Sequence, residues 1–240
     1  MAVYDYLADW FEFLNDDCDY PKWSQYFIEK LSRFHAGKRG LELGCGSGAF
    51  SRALARAGYE MTGADLSAPM LTKAAALARE QGLCVEYLRM DAAAPKTAEK
   101  FDFILSPNDC YNYVAPEKLP AAFRRIAGCL KKEGIFWFDL SSAYKLRQKI
   151  ANNMFADDRD EVTYLAFSTL YSDRVELDVS LFIRETGDQY VRRDERHVQY
   201  IHEEESVVRA LEPYFTVEVE GHLGEDKTAS DRLNFICRRR

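Results

Sequence analysis

Residues 41–48 read Leu41-Glu42-Leu43-Gly44-Cys45-Gly46-Ser47-Gly48. Leu41 to Leu43 is a short strand, and it runs straight into three glycines spaced two apart. Residues 49–57 are mostly helix formers, and Gly58 stops them. Glycines at such a turn let the chain reverse tightly and let backbone N–H groups come close to a ligand. The helix behind them offers unpaired N–H groups and the positive end of its dipole, which suits an anionic or hydrogen-bond-accepting ligand. The next strand ends on Asp65, about 20 residues past the glycines, where an acid can hold ribose hydroxyls.

Further strands and helices alternate on both sides of this turn. Ser67 caps a helix carrying Met70, Leu71, Ala74 and Ala78. Residues 84–90 form a third strand ending at Asp91, and 101–105 a fourth. Pro116 opens a helix with Leu119, Phe123, Ile126 and Leu130 on one stripe, and 134–140 is a fifth strand. This alternation implies a parallel sheet covered on both faces. Upstream, Tyr6, Leu7, Trp10, Phe11 and Leu14 recur at helical spacing. Asp19-Tyr20-Pro21 opens a second helix with Trp23, Phe27, Leu31 and Phe34 on one face.

The pattern changes after residue 141. Val175, Leu177, Val179, Leu181 and Ile183 alternate with Glu176, Asp178, Ser180, Phe182 and Arg184, a period of two that predicts a half-exposed antiparallel strand. Thr186-Gly187-Asp188 turns the chain, 189–201 pairs back, and 162–171 is a third arm. A helix at 203–212 and strands at 215–222 and 233–239 close the chain. The expected organisation is one domain: a helical lid at 1–36, a core at 37–141 and 203–240, and an antiparallel β insertion at 142–202.

Composition narrows the function. The 240 residues carry 32 Lys and Arg against 39 Asp and Glu, a net charge of −7, which argues against gripping nucleic acid through bulk positive charge. No apolar run is long enough to span a bilayer, and Asp5, Asp9 and Glu12 at the amino terminus do not suit a signal peptide, so a cytoplasmic location is expected. The six cysteines form no C-x-x-C pair and read as buried reduced thiols. His35, His197, His202 and His222 are scattered, so no metal site is expected. Arg238-Arg239-Arg240 reads as a frayed, solvated end.

Spacing alone leaves a dinucleotide open, because Ala49 at the third glycine position is an allowed substitution. The wording LELGCGSG goes further. It resembles the first motif of the class I S-adenosylmethionine-dependent methyltransferases, hydrophobic-[DE]-x-G-x-G-x-G, with Glu42 on the acidic position. GADLSAPML (63–71), RMDAAA (89–94), FDFILSPNDCYNYV (101–114) and LKKEGIFWFDLSSAYKLR (130–147) are similar to the segments that follow it in that family. The aromatic leader YLADWFEFLNDDCDYPKW and the antiparallel insertion before the sixth strand resemble a bacterial subgroup of small-molecule type. The resemblance implies an α/β fold: a seven-stranded, mostly parallel Rossmann-like sheet with helices on both faces and a small antiparallel insertion over the site.

It also implies roles for residues. The backbone at Gly44, Cys45 and Gly46 would pack on the methionine part of S-adenosylmethionine. Asp65 would hold the ribose hydroxyls, with Leu66 and Met70 beside the sugar and adenine. Asp91 would accept from the adenine amine, flanked by Ala92. Asn108 would lie by the methionine carboxylate or the sulfonium, and Trp23 and Tyr6 would close the pocket from the leader. The expected activity is methyl transfer to a nitrogen, oxygen or carbon of a small-molecule acceptor. The alternatives are an RNA or protein acceptor, a non-catalytic cofactor-binding module and an NAD-dependent dehydrogenase. Ser106-Pro107-Asn108-Asp109 only partly matches the [DNS]-P-P-[YFW] motif of enzymes that methylate nucleic-acid amines.

Methyl transfer is an in-line displacement that demands placement and exclusion of water rather than a fixed triad. A protonated acceptor still has to lose a proton. Asp109, Tyr111 and His197 are the candidate polar groups. Asp109 and Tyr111 follow a strand end, where α/β sites gather. They are expected to matter more than His197, which stands between Arg196 and Val198 and reads as a surface imidazole.

Overall fold

The leader is a 3-10 turn at Leu7–Asp9, helix α1 (Phe11–Leu14) and helix α2 (Tyr20–Arg33). The computed structural model describes residues 4, 6–16 and 18–240; Asp5, Asp17 and the first three residues of the expected lid lie outside the described residues. Asp19 accepts the Lys22 N–H at 3.0 Å and Pro21 sits in the first turn, so α2 starts where capping chemistry places it.

From there strand and helix alternate: β1 (Arg39–Leu43), α3 (Ala49–Arg56), β2 (Glu60–Asp65), α4 (Ala68–Glu80), β3 (Val85–Arg89), β4 (Phe101–Ser106), α5 (Leu119–Cys129) and β5 (Leu130–Ser141). A short helix α6 (Ala143–Lys145) runs into a π turn at Leu146–Ile150. Four strands follow, β6 (Met154–Asp158), β7 (Val162–Leu170), β8 (Arg174–Arg184) and β9 (Tyr190–Tyr200), then α7 (Glu204–Leu211), β10 (Phe215–Glu220) and β11 (Arg232–Arg239).

The main sheet has the order β10-β11-β5-β4-β1-β2-β3. The five strands β1 to β5 pair in parallel, while β11 is antiparallel to both of its neighbours. The order reverses beside β1, and ligands in open α/β sheets gather at that crevice, outside the carboxyl ends of the strands. Both faces of the sheet are covered. On β5, Phe136, Phe138 and Leu140 enter one core layer with Leu41, Leu43 and Phe123, while Ile135 and Trp137 enter the other with Trp23, Phe27 and Phe103. The alternation of directions along a strand buried on both sides explains its unbroken apolar run.

The inserted residues form a second, antiparallel sheet in the order β6-β7-β8-β9. Three of its strands follow the expected pattern; β6 was not anticipated. Its sequence, Met154 to Asp158, has no β-branched residue and ends in two acids, as befits a charged edge strand. Two further expectations change. Cys84 is exposed, although Cys45, Cys129 and Cys237 are buried. Arg238 and Arg239 lie within β11, where Arg239 donates to the Leu130 carbonyl and Arg238 stacks over Phe34, so the basic end is packed rather than frayed.

Candidate active site

The turn after β1 is left-handed at Gly44 (φ 70°) and Gly46 (φ 51°). A side chain at Gly44 would run into the Cys110 thiol. A Cβ at Gly46 would meet no atom within 4 Å, so the backbone there is open. Asp65 braces the loop from the end of β2: its carboxylate accepts the Gly46 N–H at 2.8 Å and the Ser67 N–H at 2.9 Å. Ser67 caps α4 through Met70 N–H. Asp91, just past β3, accepts the Ala93 N–H at 2.8 Å, which sets the turn carrying Ala92.

These residues wall one cavity of about 550 Å³. Gly44, Cys45, Gly46, Asp65, Leu66, Met70, Asp91, Ala92 and Asn108 all line it. Leu66 is 52% exposed, a large apolar surface left open at the rim. The leader adds Tyr4, Phe11 and Tyr20, and β9 adds Arg196, Val198 and Tyr200. Tyr6 and Trp23, expected from the leader, lie elsewhere. Tyr6 packs under the Arg193 guanidinium, and Trp23 is buried against Phe27, Phe50 and the His222 ring. Helical spacing identified the aromatic face but not which of its rings turns to the cavity.

The loop after β4 is strained at Asn108 (φ 62°) and Asp109 (φ 52°). Arg232 at the start of β11 ties it down, bonding Asp109 at 3.2 Å and Asn108 at 3.4 Å and pairing with Asp139. Asp139 also accepts the Asp109 N–H at 3.1 Å. Burial pushes the Asp139 carboxyl up, with Arg232 pulling it back down. Burial also opposes the Arg232 charge, but Asp139 and Asp109 outweigh it and hold the guanidinium charged. The guanidinium covers the Trp23 ring at 4.8 Å, which gives Trp23 its place in the structure. Asp139 and Arg232 were missed in the sequence. The one signal was an acid inside the apolar fifth strand, since a buried charge needs a partner.

The three catalytic candidates are placed differently from expectation. Tyr111 is 0% exposed, packs among Phe123, Phe136 and Phe138, and donates to the Ala92 carbonyl at 2.9 Å. Asp109 is engaged by Arg232 and by the Gln199 amide at 2.7 Å. Neither lines the cavity. His197 is only 4% exposed, so it is no surface imidazole: β9 turns it inward. Its Nε2 lies 3.1 Å from Glu195 Oε2 and its Nδ1 3.2 Å from the Tyr113 hydroxyl.

Burial shifts three further groups at the cavity upward. Burial pushes the Glu42 carboxyl up to about 7, against the hydrogen bond from Ser51. Burial also raises the Cys45 thiol well above its usual range and the Cys110 thiol to about 12, so neither is a thiolate nucleophile at neutral pH. Among the described residues no group of His, Cys, Asp and Glu is arranged to hold a metal ion, and no helix is long and apolar enough to cross a membrane.

An open glycine loop with an acid at the end of each of the next two strands suits a nucleoside-bearing ligand with a polar tail. Comparison with known proteins identifies the ligand. Residues 41–134 match the family described as Methyltransferase domain. A Geobacillus sp. (strain WCH70) protein, named provisionally as a methyltransferase, is 29% identical over 99% of this chain and 100% of its own length. The crystal structure of an S-adenosylmethionine-dependent methyltransferase from Clostridium acetobutylicum ATCC 824 superposes with a TM-score of 0.88 at 29% identity, covering 98% of this chain and 97% of that one. The sugar N-methyltransferase KedS8 from Streptoalloteichus sp. ATCC 53650 has a TM-score of 0.82 at 16% identity, over 100% of this chain and 97% of its own, a likeness of fold. Fold and comparisons define a Rossmann-like methyltransferase. The chain is a class I S-adenosylmethionine-dependent methyltransferase, and S-adenosylmethionine is its methyl donor.

Proposed function

We propose that the 550 Å³ cavity holds S-adenosylmethionine together with a small-molecule acceptor. The observation that carries this is the convergence of Asp65, Asp91 and the open Gly46 backbone on one cavity. Asp65 would take the ribose hydroxyls on the carboxylate lone pairs left beyond its two backbone bonds. Asp91 would accept from the adenine amine, with Ala92, Leu66 and Met70 against the ring and sugar. Gly44, Cys45 and Gly46 would face the methionine part, and Asn108 its charged end. When bound, the donor supplies an electrophilic methyl group on a sulfonium; the chain's part is to orient the acceptor and exclude water. The cavity size is ordinary for small ligands. Tyr4 and Phe11 from the leader and Val198 and Tyr200 from β9 wall the acceptor side, which favours a small acceptor over a polymer. The net charge of −7 points the same way.

Two measurements test the reading. Calorimetry should show S-adenosylmethionine binding that Asp65→Ala weakens by at least ~10²-fold, because two charge-assisted hydrogen bonds are lost. Asp65→Asn, which keeps one oxygen for the Gly46 or Ser67 N–H, separates ribose contact from loop support. NAD binding without S-adenosylmethionine binding defeats the assignment. For the acceptor, methyl-labelled S-adenosylmethionine is incubated with a metabolite extract and, separately, with total RNA and with protein. Label confined to RNA or protein refutes a small-molecule acceptor.

A further inference from the structure

The cavity wall contains a chain of polar groups that the cofactor does not explain. The Tyr4 and Tyr113 rings both line the cavity, and their hydroxyls meet at 3.0 Å. The Tyr113 hydroxyl lies 3.2 Å from His197 Nδ1, and His197 Nε2 lies 3.1 Å from Glu195 Oε2. Glu195 is fixed in turn by the leader: it accepts the backbone N–H groups of Tyr4 at 3.2 Å, Tyr6 at 2.5 Å and Leu7 at 3.0 Å. Four groups from the leader, the loop after β4 and β9 therefore form one line from the cavity to a buried carboxylate.

The line has a direction. A carboxylate only accepts, so His197 donates Nε2–H to Glu195, which leaves Nδ1 as the acceptor for the Tyr113 hydroxyl. Tyr113 oxygen then accepts from the Tyr4 hydroxyl, and the outermost lone pairs are those of Tyr4 at the cavity. Burial works to raise the Glu195 carboxyl, yet the His197 bond and the Leu7 and Tyr6 N–H groups hold it below its usual range, so it is charged at neutral pH. Burial raises both phenols, which keeps them protonated. They can pass a proton along but not hold the negative charge. The imidazole is the group that receives the proton, and Glu195, 3.1 Å from its Nε2, is the counter-ion for the imidazolium so formed. A wall built only to pack the cofactor needs no such alignment.

We propose that Tyr4, Tyr113, His197 and Glu195 form a proton relay that takes the acceptor's proton during methyl transfer. The proposal rests on the reading that the cavity holds donor and a proton-bearing acceptor together. As the acceptor nitrogen or oxygen bonds to the methyl carbon, the carbon–sulfur bond breaks and its electron pair stays on sulfur. The acceptor's proton goes to the Tyr4 oxygen, the Tyr4 proton to Tyr113, and the Tyr113 proton to His197 Nδ1. The products are the methylated acceptor, the thioether and an imidazolium paired with Glu195. Tyr4 is the catalytic residue of the set; Tyr113 and His197 relay the proton, and Glu195 is a positioning residue that sets the tautomer.

Two arms test this. In the first, the protein is labelled with 15N-histidine and the ring nitrogens are read by long-range 1H–15N NMR, His197 being assigned from the signals lost in His197→Gln. The expected state is the Nε2–H tautomer, with Tyr113→Phe moving the Nδ1 resonance. An Nδ1–H tautomer, or an Nδ1 signal indifferent to Tyr113→Phe, overturns the relay. In the second, methyl-labelled S-adenosylmethionine and a metabolite extract report transfer. Tyr113→Phe and His197→Gln should each slow labelling by ~10²-fold or more while calorimetric affinity for S-adenosylmethionine is retained. Labelling at the wild-type rate by either folded variant also overturns it. If wild type binds S-adenosylmethionine but labels no small molecule, the small-molecule reading fails by itself and the NMR arm alone decides the relay.

Discussion

Glu42 shows how one residue's surroundings set its chemistry. It is buried beside Ser51 under the glycine turn, and burial lifts its pKa from 4.5 to about 7 against the Ser51 hydrogen bond and the Arg52 charge. An acid raised in the folded state favours folding most at low pH. The stabilisation is complete below about 4.5 and is lost as pH rises through about 7. The shift corresponds to roughly 3 kcal/mol. The stability of wild type relative to Glu42→Gln should therefore fall by up to that amount between pH 5 and pH 8, measured by urea unfolding. A difference that does not change with pH shows that Glu42 stays ionised. At this scale the sequence was legible where chemistry alone defines position. Asp65 and Asp91 follow strand ends, and strand ends of an α/β sheet open on the site. It was illegible where rotation about an element decides. Tyr111 and Tyr113 are two apart in one short turn, yet one enters the core and the other the cavity wall. Tyr4, Glu195 and Arg232 owe their places to contacts between segments more than a hundred residues apart, which no local pattern records.

Among elements, the leader is tied to the inserted sheet through Glu195 and Arg159 and to the core through Glu12 and Lys73. Glu12 accepts the Ser47 hydroxyl at 2.6 Å and Arg52 at 3.0 Å, and Lys73 donates to the carbonyls of Ala8 and Asp9. A short segment that covers the cavity from one side orders further when the cavity beneath it fills. Hydrogen exchange in residues 6–16 should slow on addition of S-adenosylmethionine. Glu12→Ala, which removes the link to the glycine loop, should speed exchange there about 10-fold in the free protein. Protection confined to residues 44–48 would show that the leader is a packed helix pair and no lid. The elements themselves were largely readable because their periods differ: 3.6 in the helices, two in β8, and none in β5, which is buried on both faces. The edge strand β6 escaped because, among the described residues, it pairs with β7 alone, and its own residues carry no alternation strong enough to be seen alone.

For the whole molecule, the site and the core are coupled through binding. Arg232 on β11, Asp139 on β5 and Asp109 after β4 form one buried knot with Trp23 of α2 against it, so the loop that walls the cavity is anchored in the second core layer. A ligand that fills the cavity binds only the folded chain, and at 100 times its Kd it adds about 2.7 kcal/mol. In a chain of this size that raises Tm by about 5–10 °C. The rise should be absent in Asp65→Ala at the same S-adenosylmethionine concentration; the baseline Tm of that variant falls only by what the Gly46 and Ser67 N–H groups lose with their acceptor, about 1–3 kcal/mol. Phe138→Ala should do the opposite. It removes a fully buried ring stacked between Phe136 and Phe235, costs about 3–5 kcal/mol, and lowers the baseline Tm, but its site residues are intact and the ligand-dependent rise should persist. Thermal unfolding of the three proteins with and without S-adenosylmethionine separates the two effects. Loss of the rise in Phe138→Ala together with its retention in Asp65→Ala would place the binding energy in the core layer rather than at the ends of β1 and β2.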